Sequence, residues 1–193
     1  SIDVNGKGTV LTTEQCLLNK NRNPALGREE IEGCLEDYLN VSKVIWLRSG
    51  IDGDDTDGHI DDFARFVSDR VVLCAHSTSD EGENREVLER NLSILNEATD
   101  QDGNPLEVIK LPMPRPIGLP EEERWLPASY ANFYIGNRAV LLPAFSDEKD
   151  LVAKDVLSSY FPGRDIVPIH AKDLVYGYGG LHCVTQQDPS TKK

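Results

Sequence analysis

Three times along the chain a short aliphatic run is followed by an amphipathic, helix-length stretch and then by a second aliphatic run. The leading runs are Gly8-Thr9-Val10-Leu11-Thr12, Arg70-Val71-Val72-Leu73-Cys74 and Arg138-Ala139-Val140-Leu141-Leu142. They are short and rich in β-branched or aliphatic residues, which marks them as strands. The helices are expected at Gly27 to Leu39, about Glu83 to Ala98, and about Asp147 to Tyr160. Their apolar stripes are Ile31, Leu35, Tyr38 and Leu39, then Val87, Leu88, Leu92, Leu95 and Ala98, then Leu151, Val152, Val156, Leu157 and Tyr160, each at a period near 3.6. The closing strands are Lys43 to Leu47, Leu106 to Lys110 and Asp165 to Ile169.

Each unit ends in a segment of unusual residues, at Asp52 to Phe66, Ala128 to Gly136 and Gly177 to Gln187. Repeats of strand, helix and two further strands, about 60–70 residues long, predict blades packed around an axis in a propeller-like α/β domain. The expected repeats are about 1–66, 67–136 and 137–187, with an ordinary mixed α/β sandwich as the alternative. Three blades close a ring poorly, so further blades are expected from elsewhere. The start at Ser1-Ile2-Asp3-Val4, with neither Met nor a basic, apolar signal, reads as a domain entered partway.

Composition narrows the function. Hydrophobic residues make up 39% and charged residues 27%, so the chain can build a core and is not of the disordered class. No apolar run approaches the ~18 residues of a membrane span. A formal charge of −13 repels phosphate backbones and attracts small cations such as guanidines and polyamines. Cys16, Cys34, Cys74 and Cys183 lie far apart with no Cys-x-x-Cys pair, which argues against a zinc site or a disulfide framework and for reduced thiols in the cytoplasm.

Two stretches carry chemistry. Asp54-Asp55-Thr56-Asp57-Gly58-His59-Ile60-Asp61-Asp62 packs five carboxylates and a histidine into nine residues, a costly concentration of charge unless a cation is held. A calcium loop aligned on Gly58 puts Asp55 and Asp57 at ligand positions but leaves Gly53 at the first and Ala64 at the last, so it fails at two required places. Read instead as a strand, the stretch projects His59 and Asp61 to one face, an acid/base beside a cation anchor. A solvated acidic turn with one exposed histidine is the alternative.

The second stretch is Gly177-Tyr178-Gly179-Gly180-Leu181-His182-Cys183-Val184-Thr185-Gln186-Gln187. Its glycines allow the backbone to approach a ligand closely, and a cysteine leaving such a loop is placed as a nucleophile needs to be. A lone cysteine is more often a buried small hydrophobe, the plain reading for Cys16, Cys34 and Cys74. His182 would face away from Cys183 if both lay on a strand, which leaves His59 the better base. His76 and His170 read as surface or structural.

The segments Gly53 to Asp61 and Gly179 to Gln187 resemble the two C-terminal motifs of the agmatine deiminase family, which includes bacterial peptidylarginine deiminases. Val4 to Thr9, Asn19 to Pro24 and Ala128-Ser129-Tyr130-Ala131-Asn132-Phe133-Tyr134 are similar as well, so the resemblance spans essentially the whole chain. It implies a five-bladed α/β propeller of which this chain supplies about three blades. It implies Cys183 as nucleophile, His59 as acid/base and Asp61 as the carboxylate gripping a guanidinium, with Asp55, Asp57 and Gly180 lining the substrate. A further acidic residue is expected from an N-terminal half of the same domain, so the site encoded here would be incomplete. Two departures, Gly180 where agmatine deiminases usually carry Asn and the Asp62-Phe63-Ala64-Arg65-Phe66 wording, put agmatine itself in question.

The implied reaction is hydrolytic deimination of a guanidine, agmatine first among substrates, through a covalent thiouronium on Cys183. The bound cation and a protonated His59 would favour the thiolate, and no metal or organic cofactor is called for. Peptidyl-arginine or arginine deimination is one alternative, and a non-catalytic guanidine-binding half is another. Expected partners are the cationic guanidine, the N-terminal half and, in an oligomer, further copies of the chain; neither nucleic acid nor membrane is expected.

Overall fold

A computed structural model describes residues 1–78, 84–119 and 124–188. In chain order the elements are β1 (Asp3–Val4), β2 (Thr9–Thr13), α1 (Glu14–Leu17), α2 (Arg28–Leu39), β3 (Lys43–Leu47), β4 (Ala64–Phe66), β5 (Val71–His76), α3 (Asn84–Glu97), β6 (Glu107–Pro112), β7 (Ile117–Leu119), β8 (Arg124–Leu126), β9 (Tyr134–Ile135), β10 (Ala139–Ala144), α4 (Lys149–Tyr160) and β11 (Asp165–His170).

The long strands β2, β5 and β10 each carry a short antiparallel neighbour on one side and a parallel neighbour on the other, giving the orders β1-β2-β3, β4-β5-β6 and β9-β10-β11. The parallel registers begin Thr9↔Lys43, Val71↔Glu107 and Ala139↔Asp165. Parallel pairing requires a crossover, and α2, α3 and α4 provide it. The three sheets therefore share one topology, and β7 and β8 form a separate hairpin, Ile117↔Leu126.

The short strands differ from the sequence-based reading. β4 and β9 were expected to end the first and second repeats, yet they hydrogen-bond into the sheets that follow, Ala64↔Cys74 and Tyr134↔Leu141. The cause is local. Only a tight turn separates each from the next long strand, and the Val67 N–H bonds the Val71 carbonyl to close the first hairpin.

The helices also bury less than their stripes predict. Ile31 is buried in α2, but Tyr38 is 87% exposed, and Leu151 and Val152 of α4 face solvent while Ala153 and Leu157 pack inward. A four-residue stripe is wider than the contact one helix makes with a narrow three-stranded sheet. Glu83, the expected start of the second helix, lies outside the described residues.

The core has two lobes. Leu11, Ile45, Leu47, Phe63, Val72, Cys74, Leu88 and Leu95 fill one, and Tyr130, Phe133, Val140, Leu142, Leu157 and Ile166 fill the other. β5 is the wall between them. Strand residues alternate in face, so Val72 and Cys74 enter the first lobe while Leu73 enters the second. Among the described residues no helix is long and apolar enough to cross a membrane.

Candidate active site

The site lies where three connecting segments meet: the loop after β3, the loop between β8 and β9, and the turn after β11. The first of these turns sharply. Asp54 accepts the N–H of Thr56 and of His59, each at 2.7 Å, as well as the Thr56 hydroxyl. Asp57 (φ 66°) and Gly58 (φ 79°) adopt left-handed backbone, and the Gly58 carbonyl accepts the Thr13 hydroxyl at 2.7 Å. A side chain at Gly58 would sit 2.8 Å from the Gly50 nitrogen, so glycine is required there. Ile60–Asp62 then form a single 3-10 turn with His59 capping it in extended backbone.

The strand expected through His59 and Asp61 is therefore not formed. A strand would send alternate carboxylates into the core, whereas the turn lets Asp55 and Asp57 reach outward. Asp55 pairs with Arg124 at 3.6 Å and Asp57 with Arg22 at 3.5 Å. Neither is brought to Cys183.

Asp61 is 6% exposed and organises the centre. Its Oδ2 accepts from His182 Nδ1 at 2.7 Å and from Asn132 Nδ2 at 3.1 Å, and Cys183 Sγ lies 3.5 Å from the same oxygen. His59 Nδ1 stands 3.9 Å from the other oxygen, Oδ1. Burial pushes the Asp61 carboxyl up, but the His182 hydrogen bond and the charges of His182, Arg65 and His59 outweigh it and hold Asp61 ionised well below the usual carboxylate range. Asp62 beside it is fully enclosed. Burial, then the charges of Asp61 and Asp54, push its carboxyl well above the ordinary value.

Cys183 lies in a 3-10 turn, His182–Val184, rather than on a strand. That turn reverses the expectation for His182, which points at Asp61 instead of away from the site. A carboxylate already committed to ionisation attracts the neighbouring imidazole, and a 3-10 turn places successive side chains far closer in direction than a strand does. Burial, then Asp61 and Asp62, push the Cys183 thiol up to about 12. Burial also lowers the His59 pKa, so the resting imidazole is disposed to be neutral, contrary to the protonated form expected from sequence. His59 Nε2 is buried with no hydrogen-bond partner among the described residues.

Asn132 is the residue that sequence reasoning passed over. It is buried at the end of the β8–β9 loop. Its Nδ2 lies 2.9 Å from Asp62 Oδ1 and 3.1 Å from Cys183 Sγ, and its Oδ1 accepts the His182 N–H at 2.8 Å. Gly180 makes room for it, because a Cβ there would come within 2.7 Å of Asn132 Cγ. Arg65, also buried, fixes the same loop. It pairs with Asp3 at 2.9 Å, donates to the Phe133 carbonyl at 2.9 Å and stacks on the Phe133 ring at 4.9 Å. The available signal was positional, since Ala128 to Gly136 occupies the same place in its repeat as the two motif-bearing segments.

A cysteine and an imidazole from the last repeat thus converge on an ionised carboxylate and a second imidazole from the first. The profile of the Porphyromonas-type peptidyl-arginine deiminase family matches residues 1–189. The chain belongs to that family. The agmatine deiminase of Pseudomonas syringae pv. tomato is 40% identical over 209 residues, covering 100% of this chain and 57% of that protein. Among solved structures, the agmatine deiminase of Enterococcus faecalis superposes with a TM-score of 0.90 at 39% identity, over 98% of this chain and 56% of its own. A cysteine-to-serine variant of the C. jejuni agmatine deiminase, solved with substrate bound, superposes with a TM-score of 0.86 at 36% identity, over 94% and 53%. The chain spans about half the length of the curated relatives it matches. These family members share its mixed α/β sheets.

Proposed function

We propose that this chain carries the nucleophile-bearing part of a guanidine deiminase, with agmatine as substrate and N-carbamoylputrescine and ammonia as products. The observation that carries the reading is the ionised, buried Asp61 with Cys183 at 3.5 Å on one oxygen and His59 at 3.9 Å on the other. The names of the relatives add the substrate class. The fold completing it is a five-bladed propeller, three blades from this chain and the others from the remaining length that the relatives possess.

The chemistry follows from charge. Guanidinium is a stable planar cation, so attack at its central carbon needs alignment and charge control. Asp61 accepts its N–H groups, taking the place of His182. The bound cation offsets the carboxylate charge that holds the thiol protonated, and the Cys183 proton passes to the neutral His59. The thiolate then adds to the guanidinium carbon. Protonated His59 returns its proton to the departing nitrogen, ammonia leaves, and an S-alkylthiouronium remains. Water, deprotonated by His59, attacks that carbon and releases the ureido product and the thiol. Asp55 and Asp57 shape the loop through their arginine pairs, and Gly180 contributes close backbone approach.

Colorimetric detection of ureido product from agmatine and from an arginine peptide, with Cys183→Ala as control, tests the reading. Turnover of agmatine that disappears in the variant supports it. Turnover of the peptide alone would reassign the substrate to peptidyl-arginine, and turnover that survives Cys183→Ala would overturn the mechanism.

A further inference from the structure

The β7–β8 hairpin lies between the two loops that carry His59 and Cys183. Its pairing sets Gly118 opposite Trp125 and Leu119 opposite Arg124. On one side it is seated on the loop after β3: Gly53 has left-handed backbone (φ 85°), and any side chain there would overlap the Trp125 carbonyl. On the other side it meets the glycine loop before Cys183 through Arg124. The Arg124 guanidinium stacks 4.8 Å from the Tyr178 ring centroid, with Nη1 3.5 Å from the Tyr178 hydroxyl. The same guanidinium reaches back to Asp55, Nη2 to Oδ1 at 3.6 Å. One side chain of the hairpin thus ties the loop of His59 to the loop of Cys183.

Both anchor points are close to the reacting groups. Asp55 stands four residues before His59. Tyr178 precedes Gly179, where a Cβ would lie 3.2 Å from Cys183 Cβ and 3.5 Å from its Sγ. Tyr178 itself has left-handed backbone (φ 58°) among Gly177, Gly179 and Gly180, so a ring is kept where glycine would be unstrained. The levels of the site also differ in exposure. Asp61 and Asp62 are buried, whereas the Arg124 and Asp55 side chains are 45% and 64% exposed. The bridge lies at a solvent-exposed rim, the carboxylates at a closed floor.

We propose that Arg124 is a specificity-determining latch, its guanidinium holding the hairpin across the rim so that guanidines on short chains reach Cys183 and guanidines carried on peptides are held off. An exposed ion pair and a surface cation–π contact are each worth about threefold in the balance between closed and open. Neither is strong, so a small substrate enters as the latch opens and closes again, while a peptide needs it to stay open. The proposal rests on the reading of the site as a guanidine deiminase, and within that reading it favours agmatine over peptidyl-arginine.

The test compares access for a small and a bulky probe. The purified protein is alkylated with iodoacetamide and, separately, with a pyrenyl iodoacetamide, and the Cys183 peptide is followed by mass spectrometry in wild type, Arg124→Gln and Arg124→Lys. Exposed Cys34 is the internal reference for each reagent, and buried Cys16 and Cys74 report unfolding by becoming reactive. Both reagents are neutral, so the change in charge moves both rates alike and their ratio reads size. Losing both contacts in Arg124→Gln should raise the bulky-to-small ratio at Cys183 about tenfold. Arg124→Lys keeps the charge without the planar stack and should fall between. Salt at about 1 M, where the screening length is ~3 Å, should raise the ratio about threefold in wild type and leave Arg124→Gln flat, a response that a purely structural role would not give. Turnover of an arginine peptide relative to agmatine should rise in step with the ratio. A variant in which Cys16 and Cys74 stay protected while the ratio keeps its wild-type value would overturn the proposal. Alkylation needs no turnover, so the two failures separate. A ratio that rises in a protein turning over no guanidine counts against the deiminase reading alone, and agmatine turnover with an unmoved ratio counts against the latch alone.

Discussion

Replacing Asp61 by Asn should make Cys183 more reactive toward a neutral electrophile and less reactive toward a cationic one. The Asp61 carboxylate lies 3.5 Å from Sγ and is, after burial, the leading cause of a thiol pKa pushed up to about 12. Two unit charges at that separation repel by about 5 kcal/mol at an effective dielectric of ~20. Cys183 is open to solvent on one side, which screens the pair, and about a third of that figure, ~1.5 kcal/mol, is the realistic share. That is about one pKa unit, downward in the variant. At pH 8 the thiolate fraction would rise about tenfold, while the lower basicity of the thiolate takes back about threefold of the gain, for a net acceleration of about threefold with iodoacetamide. 2-Chloroacetamidine carries an amidinium that needs the Asp61 charge, so its reaction with Cys183 should slow by tenfold or more on loss of a charge-assisted contact. Both rates come from the Cys183 peptide in the same mass spectrum, referenced to Cys34. Equal changes with both reagents would mean that Asp61 acts only on sulfur or only on folding, and a slower reaction with iodoacetamide would refute the electrostatic argument outright.

Arg65→Ala leaves Asp3 and two loop carbonyls without their buried partner and should destabilise the protein by about 3–5 kcal/mol in urea unfolding, whereas an exposed pair such as Arg90 with Glu86 should cost under about 1 kcal/mol. Asp62→Asn should stabilise at neutral pH. A carboxyl whose folded pKa is raised contributes stability below the unfolded value near 3.9 and loses it as pH rises toward the folded value, so melting temperatures of wild type and variant should coincide near pH 3 and diverge in the variant's favour at pH 7. His59→Ala should lower kcat by about 10²–10⁴-fold with iodoacetamide reactivity of Cys183 little changed, measured by ureido product and by alkylation in parallel. His182→Ala removes the group that occupies Asp61 Oδ2 before substrate binds, and a lower KM for agmatine is the expected result of the kinetic titration.

Much of the fold was legible because local pattern and tertiary context agree in it. Lys43 to Leu47 forms the strand its composition asks for, and Asn84 to Glu97 forms the helix its Leu88 and Leu95 spacing asks for. The short strands were misassigned because two or three residues carry no periodicity of their own; Ala64–Phe66 is a strand only because β5 is beside it. Tyr38 is a similar case. It falls in the apolar stripe of α2 yet is 87% exposed.

The site was legible in composition but not in geometry. Dense carboxylates around His59 and clustered glycines before Cys183 both announce a place where ordinary folding preferences are overridden. Which way the chain turns there depends on partners remote in sequence, such as Thr13 under Gly58 and Asn132 against Gly180, and no local rule reaches them. The repeat supplies what local rules lack. The loops after β3, between β8 and β9, and after β11 are corresponding parts of three sheets of one topology, so the architecture that brings His59 and Cys183 together must bring the β8–β9 loop with them. Asn132, quoted within a family-like stretch but assigned no role from sequence, is the side chain of that loop that lies against both carboxylates and the sulfur.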